Sequence, residues 1–287
     1  MSSTTVLAPT AAPQPSHTPA LRLYALAFLG LMQRDLRVLR RELGAFVVRI
    51  VMQPLLFLFV FTYVYPRIGQ SFGGPSSGSG GGSFATILLP GLMAMAIMFS
   101  GIAAVALPLT TEFGITREID DRVLCPLPVA AVAMEKIFFS ALQSILSALL
   151  IFPLAYYIPA TPVHVAIASV WMLALILVLS GLLSGALGLT IGTSVQPHQI
   201  GLIFSIVVIP ITFLGCVYYP WALLYHVRWL QYLVLLNPIV YMSEGLRAAL
   251  TPSLPHMPMA LILGALVFWL ALLGWVGTRG FLRRVIG

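Results

Sequence analysis

Long runs without charge constrain this chain more than any other feature of it. Several stretches of roughly 18–25 residues lack a charged side chain, and a helix of that length crosses a hydrocarbon core of ~30 Å. Charged residues make up 8% of the sequence and hydrophobic ones 60%, with a mean hydropathy of +1.01. Soluble domains carry about 25% charged residues. Strands of a membrane barrel would alternate in ~10-residue segments, and no such alternation is present. The chain reads as an all-α polytopic membrane protein.

Residues 1–20, rich in Pro, Ala and Thr, have the composition of a disordered tail and lack the basic start and apolar core of a signal peptide. Over residues 21–42, Leu21, Tyr24, Phe28, Leu31, Met32, Leu36 and Leu39 recur at three- and four-residue steps. Arg34, Arg37, Arg40 and Arg41 fall mostly off that stripe. This predicts an amphipathic basic helix suited to the head-group plane of an anionic leaflet, or one that only anchors the chain. The expected spans are residues 43–64, 84–107, 137–158, 163–191, 200–217 and 259–276. Arg49 sits near one end of the first and can snorkel to the interface. A flexible Gly/Ser loop, residues 69–83, follows it.

Between the last two spans the apolar pieces are too short to cross. Asn237-Pro238 splits them, and Pro238 disfavours helix at the residue before it. A re-entrant pair of short helices over residues 221–250 fits, and its Trp and Tyr content suits an interface. Six spans with both termini inside place 12 of the 15 Lys and Arg residues on the cytoplasmic side, leaving Arg67, Arg228 and Arg247 outside. A seventh span would weaken that positive-inside bias. The net charge of +7 is therefore read as topology and not as a nucleic-acid surface. The cysteines, Cys125 and Cys216, fall on opposite sides, and no metal site is expected from them or from the five scattered His residues.

Ionisable groups inside spans usually mark ion pathways or catalysis, and apart from Arg49 the expected spans have none at depth. There is no HExxH and no paired carboxylate for acid/base work. The single lysine, Lys136, lies in AAVAMEKIF and not in a GxxxxGK[ST] phosphate cradle. Neither ion coupling nor enzyme activity is supported, and ATP drive would require a second polypeptide. The densest charge lies in FGITREIDDRV, where Ile115, Ile119 and Val123 form an apolar stripe beside Thr116 and Asp120. Arg117–Asp121 and Glu118–Arg122 are opposite-charge pairs four residues apart, each contributing ~0.2–0.5 kcal/mol in a helix. The pattern predicts a short stiff helix ended by Pro126 and Pro128, either docking on a soluble partner or simply solvated.

Three segments in this order and spacing resemble the membrane subunit of type-2 ABC exporters: LLPGLMAM, EFGITREIDDRVLCPLPVAAVAMEKI, and PITFLGCVYYP with LNPIVYMSEGLRAAL. The resemblance covers roughly residues 21–285 and makes 43–285 the type-2 transmembrane domain. It implies that Ile115–Arg122 is a coupling helix seated on a separate ABC ATPase subunit, which would hold the ATP and Mg²⁺, with no cofactor in this chain. It implies a dimer of two permease copies or homologues in a bacterial inner membrane, in contact with membrane lipid and with no nucleic acid. The re-entrant segment, with Trp221, Trp229, Asn237, Pro238, Glu244 and Arg247, would close the outer end of the path. Spans one, two and five would line that path with Phe57, Phe61, Met95, Met98, Phe204 and Phe213, side chains suited to an amphipathic or lipid-linked molecule or, alternatively, facing lipid. Glu244 could pair with Arg247 on one helix or contact substrate. Ser180, Ser184, Gly188 and Gly192 share one helix face, for packing within a protomer or between subunits. An ion-coupled carrier or channel is the alternative.

Overall fold

The computed structural model describes residues 20–64, 67–68, 84–113, 127–158 and 165–286. Residues 1–19, the Gly/Ser loop, the charged turn Ile115–Arg122 and Cys125 lie outside them. Among the described residues every regular element is a helix. α1 (Ala20–Arg41) is one-sided, with Leu31 and Leu39 buried while Arg37 and Arg40 stay exposed. It packs on α2 and α4, where Phe28 meets Phe138 edge-on at 6.2 Å. α2 (Leu43–Phe59) contains Pro54 and continues into a π-helical turn, Val60–Val64, where the Thr62 hydroxyl donates to the Leu58 carbonyl.

Three long helices form the centre: α3 (Phe84–Thr111), α4 (Val129–Tyr157) and α5 (Val170–Ser194), each packed on the other two. α4 starts at Val129, ahead of the expected span at 137, because Pro128 precedes it as N-cap and the Ala-rich VAAVAMEK that follows favours helix. The small residues of α5 explain how closely these helices approach. A Cβ on Gly188 would lie 3.0 Å from the Ile102 Cα, and one on Gly181 3.1 Å from the Ala141 Cα. Ser184 and Ser144 hydroxyls are 3.1 Å apart, and Ser140 donates to the Gly101 carbonyl at 3.0 Å. Ser180, Ser184, Gly188 and Gly192 are all buried inside this protomer, which settles the role of the small-residue face as internal packing.

After α5 the chain forms a short broken helix, α6, made of Ile200–Ile203, a π-helical Phe204–Val208 and Ile209–Phe213. At 1.5 Å per residue it extends about 21 Å, short of a full crossing, where residues 200–217 were expected to span. Pro210 removes one amide donor, and the Thr212 hydroxyl competes for the Val208 carbonyl at 2.6 Å. The helix then ends in a turn where Cys216 takes a left-handed backbone, φ 52°. Beyond a 3₁₀ segment, Trp221–His226, come α7 (Arg228–Leu233, extended as 3₁₀ through Val234–Leu236) and α8 (Pro238–Leu250), bent by 99° at Asn237. α9 (Met259–Ile286) closes the fold against α5 and α8. Among the described residues five helices are long and apolar enough to cross a membrane, or six if the bent pair counts as one.

Two ends of the bundle follow from α3. Near its start a Cβ on Gly91 would collide with the Val217 carbonyl, so only glycine lets the turn before the bent pair sit there. At its other end Glu112 leads into the charged turn, about 30 Å away along the helix. The same end is tied to α9. The Arg284 guanidinium donates to the Gly192, Thr193 and Val195 carbonyls at 3.1, 3.2 and 2.9 Å, capping α5, and lies 4.8 Å over the Phe113 ring.

Enlarging Gly188 should cost more than deleting a hydroxyl. Gly188→Val must displace α3 backbone and is expected to lower stability by about 1–3 kcal/mol, whereas Ser184→Ala should cost ~0.6 kcal/mol. Thermal unfolding of both variants in one detergent checks this. Equal effects would refute the close helix packing.

Candidate functional site

The bent pair is built around α8, whose residues are buried from Pro238 to Leu250. Asn237 starts it: its side-chain oxygen accepts from the Ile239 amide at 3.1 Å, and Pro238 occupies the first turn, where no donor is needed. The Asn237 side-chain amide donates to the Ile211 carbonyl at 2.6 Å and fastens the bend to α6. At the other end the Ala166 and Ala168 amides donate to the Leu250 and Ala249 carbonyls at 3.0 Å each. A helix this buried can hold charge only as a compensated pair. Glu244 and Arg247, one turn apart, form that pair, with both side chains fully buried.

The pair reaches beyond its own helix. One Glu244 oxygen accepts from Arg247 and from the Trp221 amide at 2.9 Å, and the other accepts from the Met257 amide at 3.1 Å. Arg247 also donates to the Cys216 carbonyl at 3.2 Å. The entry and the exit of the bent segment are thus tied to one carboxylate. The Trp221 indole N–H donates to the Gln231 carbonyl at 3.2 Å, while Trp229 is 69% exposed and makes none of these bonds.

The six residues expected along a path do not act alike. Phe57 and Phe61 stack at 6.0 Å, and both pack on Tyr218, at 5.5 and 6.4 Å. Phe213 packs on the same ring at 5.8 Å, and the Tyr218 hydroxyl lies 3.9 Å from the Met95 sulfur. Phe204 lines a cavity of about 280 Å³ beside Met95. Met98 is buried in the main core. Tyr218 gathers four of the six, and sequence spacing gave no sign of that, because its partners come from three separate helices.

A second buried ion pair joins the helices that flank the charged turn. Lys136 contacts both Glu112 oxygens, at 3.0 and 2.9 Å. The hint in the sequence was that Lys136 is the only lysine, yet its partner lies 24 residues away, beyond any helical period. Among the described residues no group of three or more His, Cys, Asp or Glu side chains is placed to hold a metal ion.

An ABC-2 type transporter family model matches residues 27–251, well over half the chain. The chain belongs to the ABC-2 type transporter family. It is similar to the inner membrane transport permease YadH of Escherichia coli (strain K12), at 26% identity over 254 residues, which cover 87% of this chain and 92% of that protein. The Shigella flexneri protein of the same name matches to the same extent. Family membership makes the chain a multi-pass membrane subunit of an ABC transporter, with a separate ABC ATPase as the implied partner. Both buried ion pairs and the bent α7–α8 segment fall within the matched region, and α9 lies beyond it.

Breaking the α8 pair from one side should be far worse than removing it whole. Glu244→Ala leaves a buried guanidinium and is expected to cost about 3–5 kcal/mol, as is Arg247→Ala in the opposite sense. The double variant Glu244→Gln/Arg247→Met should lose much less than the sum of the single changes. Chemical or thermal unfolding of the four proteins forms the cycle. Additive losses would mean that the pair is not coupled.

Proposed function

We propose that this chain is the permease of an ATP-driven exporter, two copies or two related permeases enclosing a path for an amphipathic or lipid-linked molecule in a bacterial inner membrane. Both termini lie in the cytoplasm, α1 rests in the inner head-group plane among membrane lipids, and Ile115–Arg122 seats on the partner ATPase. That partner holds the ATP and Mg²⁺. Nucleotide binding draws the two ATPases together and moves the turn, and with it the long helices on either side.

The observation that carries this reading is the arrangement along α3. One end meets the turn before the bent pair at Gly91 and Val217, and the other carries the Glu112–Lys136 pair, whose two residues flank the charged turn in the sequence. A device that closes the path and a device that receives force therefore sit on one stiff helix. Glu244, Arg247, Asn237, Pro238, Trp221 and Trp229 belong to the closing device at the outer end. Phe57, Phe61, Met95, Phe204 and Phe213 belong to the wall, with Tyr218 at its centre. These walls are apolar and aromatic, and among the described residues Glu244, Arg247, Glu112 and Lys136 are internally neutralised. Such a wall favours an amphiphile over a bare ion, and outward movement of an amphipathic or lipid-linked substrate, whether drug, polysaccharide or lipid, fits it best.

Purification of the tagged chain from its native membrane in mild detergent tests the proposal. An ATPase should co-purify, and reversing charge at Glu118 and Asp121 should release it without loss of membrane insertion. A chain that purifies intact with no ATPase and still moves solute would be an ion-coupled carrier or channel instead.

A further inference from the structure

We propose that Arg284 is a positioning residue for the ATP-driven movement: with Phe113 it makes the root of the charged turn, the end of α5 and the end of α9 move as one body. This deepens the exporter reading and rests on its claim that the partner ATPase moves the turn.

The end of the bundle that carries the charged turn has an apolar core of its own, distinct from the main one. Val105 and Leu109 of α3, Val132 of α4, Leu189 of α5 and Phe281 of α9 are buried in it. Phe113 packs against this cluster, and Leu127 is buried within it. These two are the described residues nearest the charged turn on either side. Both roots of the turn are therefore anchored in one small core, and Glu112, the residue before Phe113, is tied to α4 by Lys136.

α9 clasps α5 at the same place. A Cβ on Gly277 would lie 3.1 Å from the Thr190 hydroxyl, and one on Gly280 2.7 Å from that of Thr193. The Thr190 hydroxyl donates to the Leu273 carbonyl at 3.1 Å. Phe281 then meets the Phe113 ring edge-on at 5.8 Å. Three residues further on, Arg284 serves two elements at once. Its guanidinium lies 4.8 Å over Phe113 while it donates to the Gly192, Thr193 and Val195 carbonyls. A displacement of Phe113 thus reaches the end of α5, from which the chain enters the irregular α6, without passing through the main core.

The chemistry of the side chain separates a link from a cap. Either lysine or arginine can serve the last carbonyls of a helix. A flat guanidinium can also present its face to a ring while its N–H groups point elsewhere, whereas an ammonium is a point charge that serves the carbonyls or the ring. Arg284 makes both contacts, so a lysine in its place would keep the cap and lose the link.

Hydrogen–deuterium exchange of the full chain purified with its ATPase tests this, with and without ATP and vanadate. In the unaltered protein, nucleotide should change exchange in the charged turn and, together with it, over residues 189–203. Arg284→Lys and Phe113→Leu should each keep the change in the turn and reduce that over 189–203 roughly two- to tenfold, the range of one cation–π contact. Their combination should do no more than either alone, and Phe113→Tyr, which keeps a ring, should respond like the unaltered protein. Arg279→Lys is the control, because Arg279 lies 4.1 Å over Trp275 of its own helix. A residue that only caps α5 would alter exchange there without nucleotide and leave the nucleotide-induced difference in place. That pattern, additive losses, or a response confined to the turn would overturn the role of Arg284 while the exporter stands. No nucleotide response in the turn, or no bound ATPase, would overturn both.

Discussion

A hydrocarbon core offers no water to unpaired backbone groups, so irregular chain within it must be satisfied by protein. The bent α7–α8 segment satisfies the amides at its entry and exit through one carboxylate. Glu244 accepts the amides of Trp221, where the segment enters, and Met257, where it leaves, while its partner Arg247 takes the Cys216 carbonyl. The charge that makes this possible would be prohibitive alone and is compensated one turn away on the same helix. α8 can therefore be fully buried, and α3, α5 and α9 can close around it.

The central bundle uses a different economy. Side chains of α5 are reduced to hydrogen or a hydroxymethyl group where it crosses α3 and α4, so attraction comes from close backbone approach and not from apolar area, which lipid would satisfy equally well. In the proposed mechanism this close packing would carry a push at the Glu112 end of α3 to the Gly91 end. α6 contrasts with it: π-helical turns, Pro210 and an exposed apolar face with Leu202, Ile206 and Ile209 make it the irregular wall of the bundle. Tyr218 then draws aromatic groups from α2 and α6 and the Met95 sulfur of α3 onto one ring.

Several features could be read in the sequence because they are local. Uncharged length marks the long helices, a three-residue step brings Glu244 to Arg247, and Asn237-Pro238 marks a break with its own N-cap. The likeness of three spaced motifs to type-2 ABC membrane subunits agrees with the family match. Other features depend on contacts that no period predicts. α6 falls short of a span because its proline, its threonine hydroxyl and the left-handed Cys216 act together. The role of the small-residue face was open until Ser144, Ala141 and Ile102 were seen to fill it from neighbouring helices.

By itself, then, the sequence determined a helical, multi-pass membrane subunit with a charged turn near its middle and a broken apolar segment before its last helix. Hydrophobic length, charge placement and proline act along the chain and need no partner to be read. Only the tertiary structure decided that Lys136 meets Glu112 across 24 residues, that Arg284 caps α5, and that Gln143 borders both an apolar and a charged space. Those outcomes depend on which helix faces come together, and that is fixed by packing over the whole bundle.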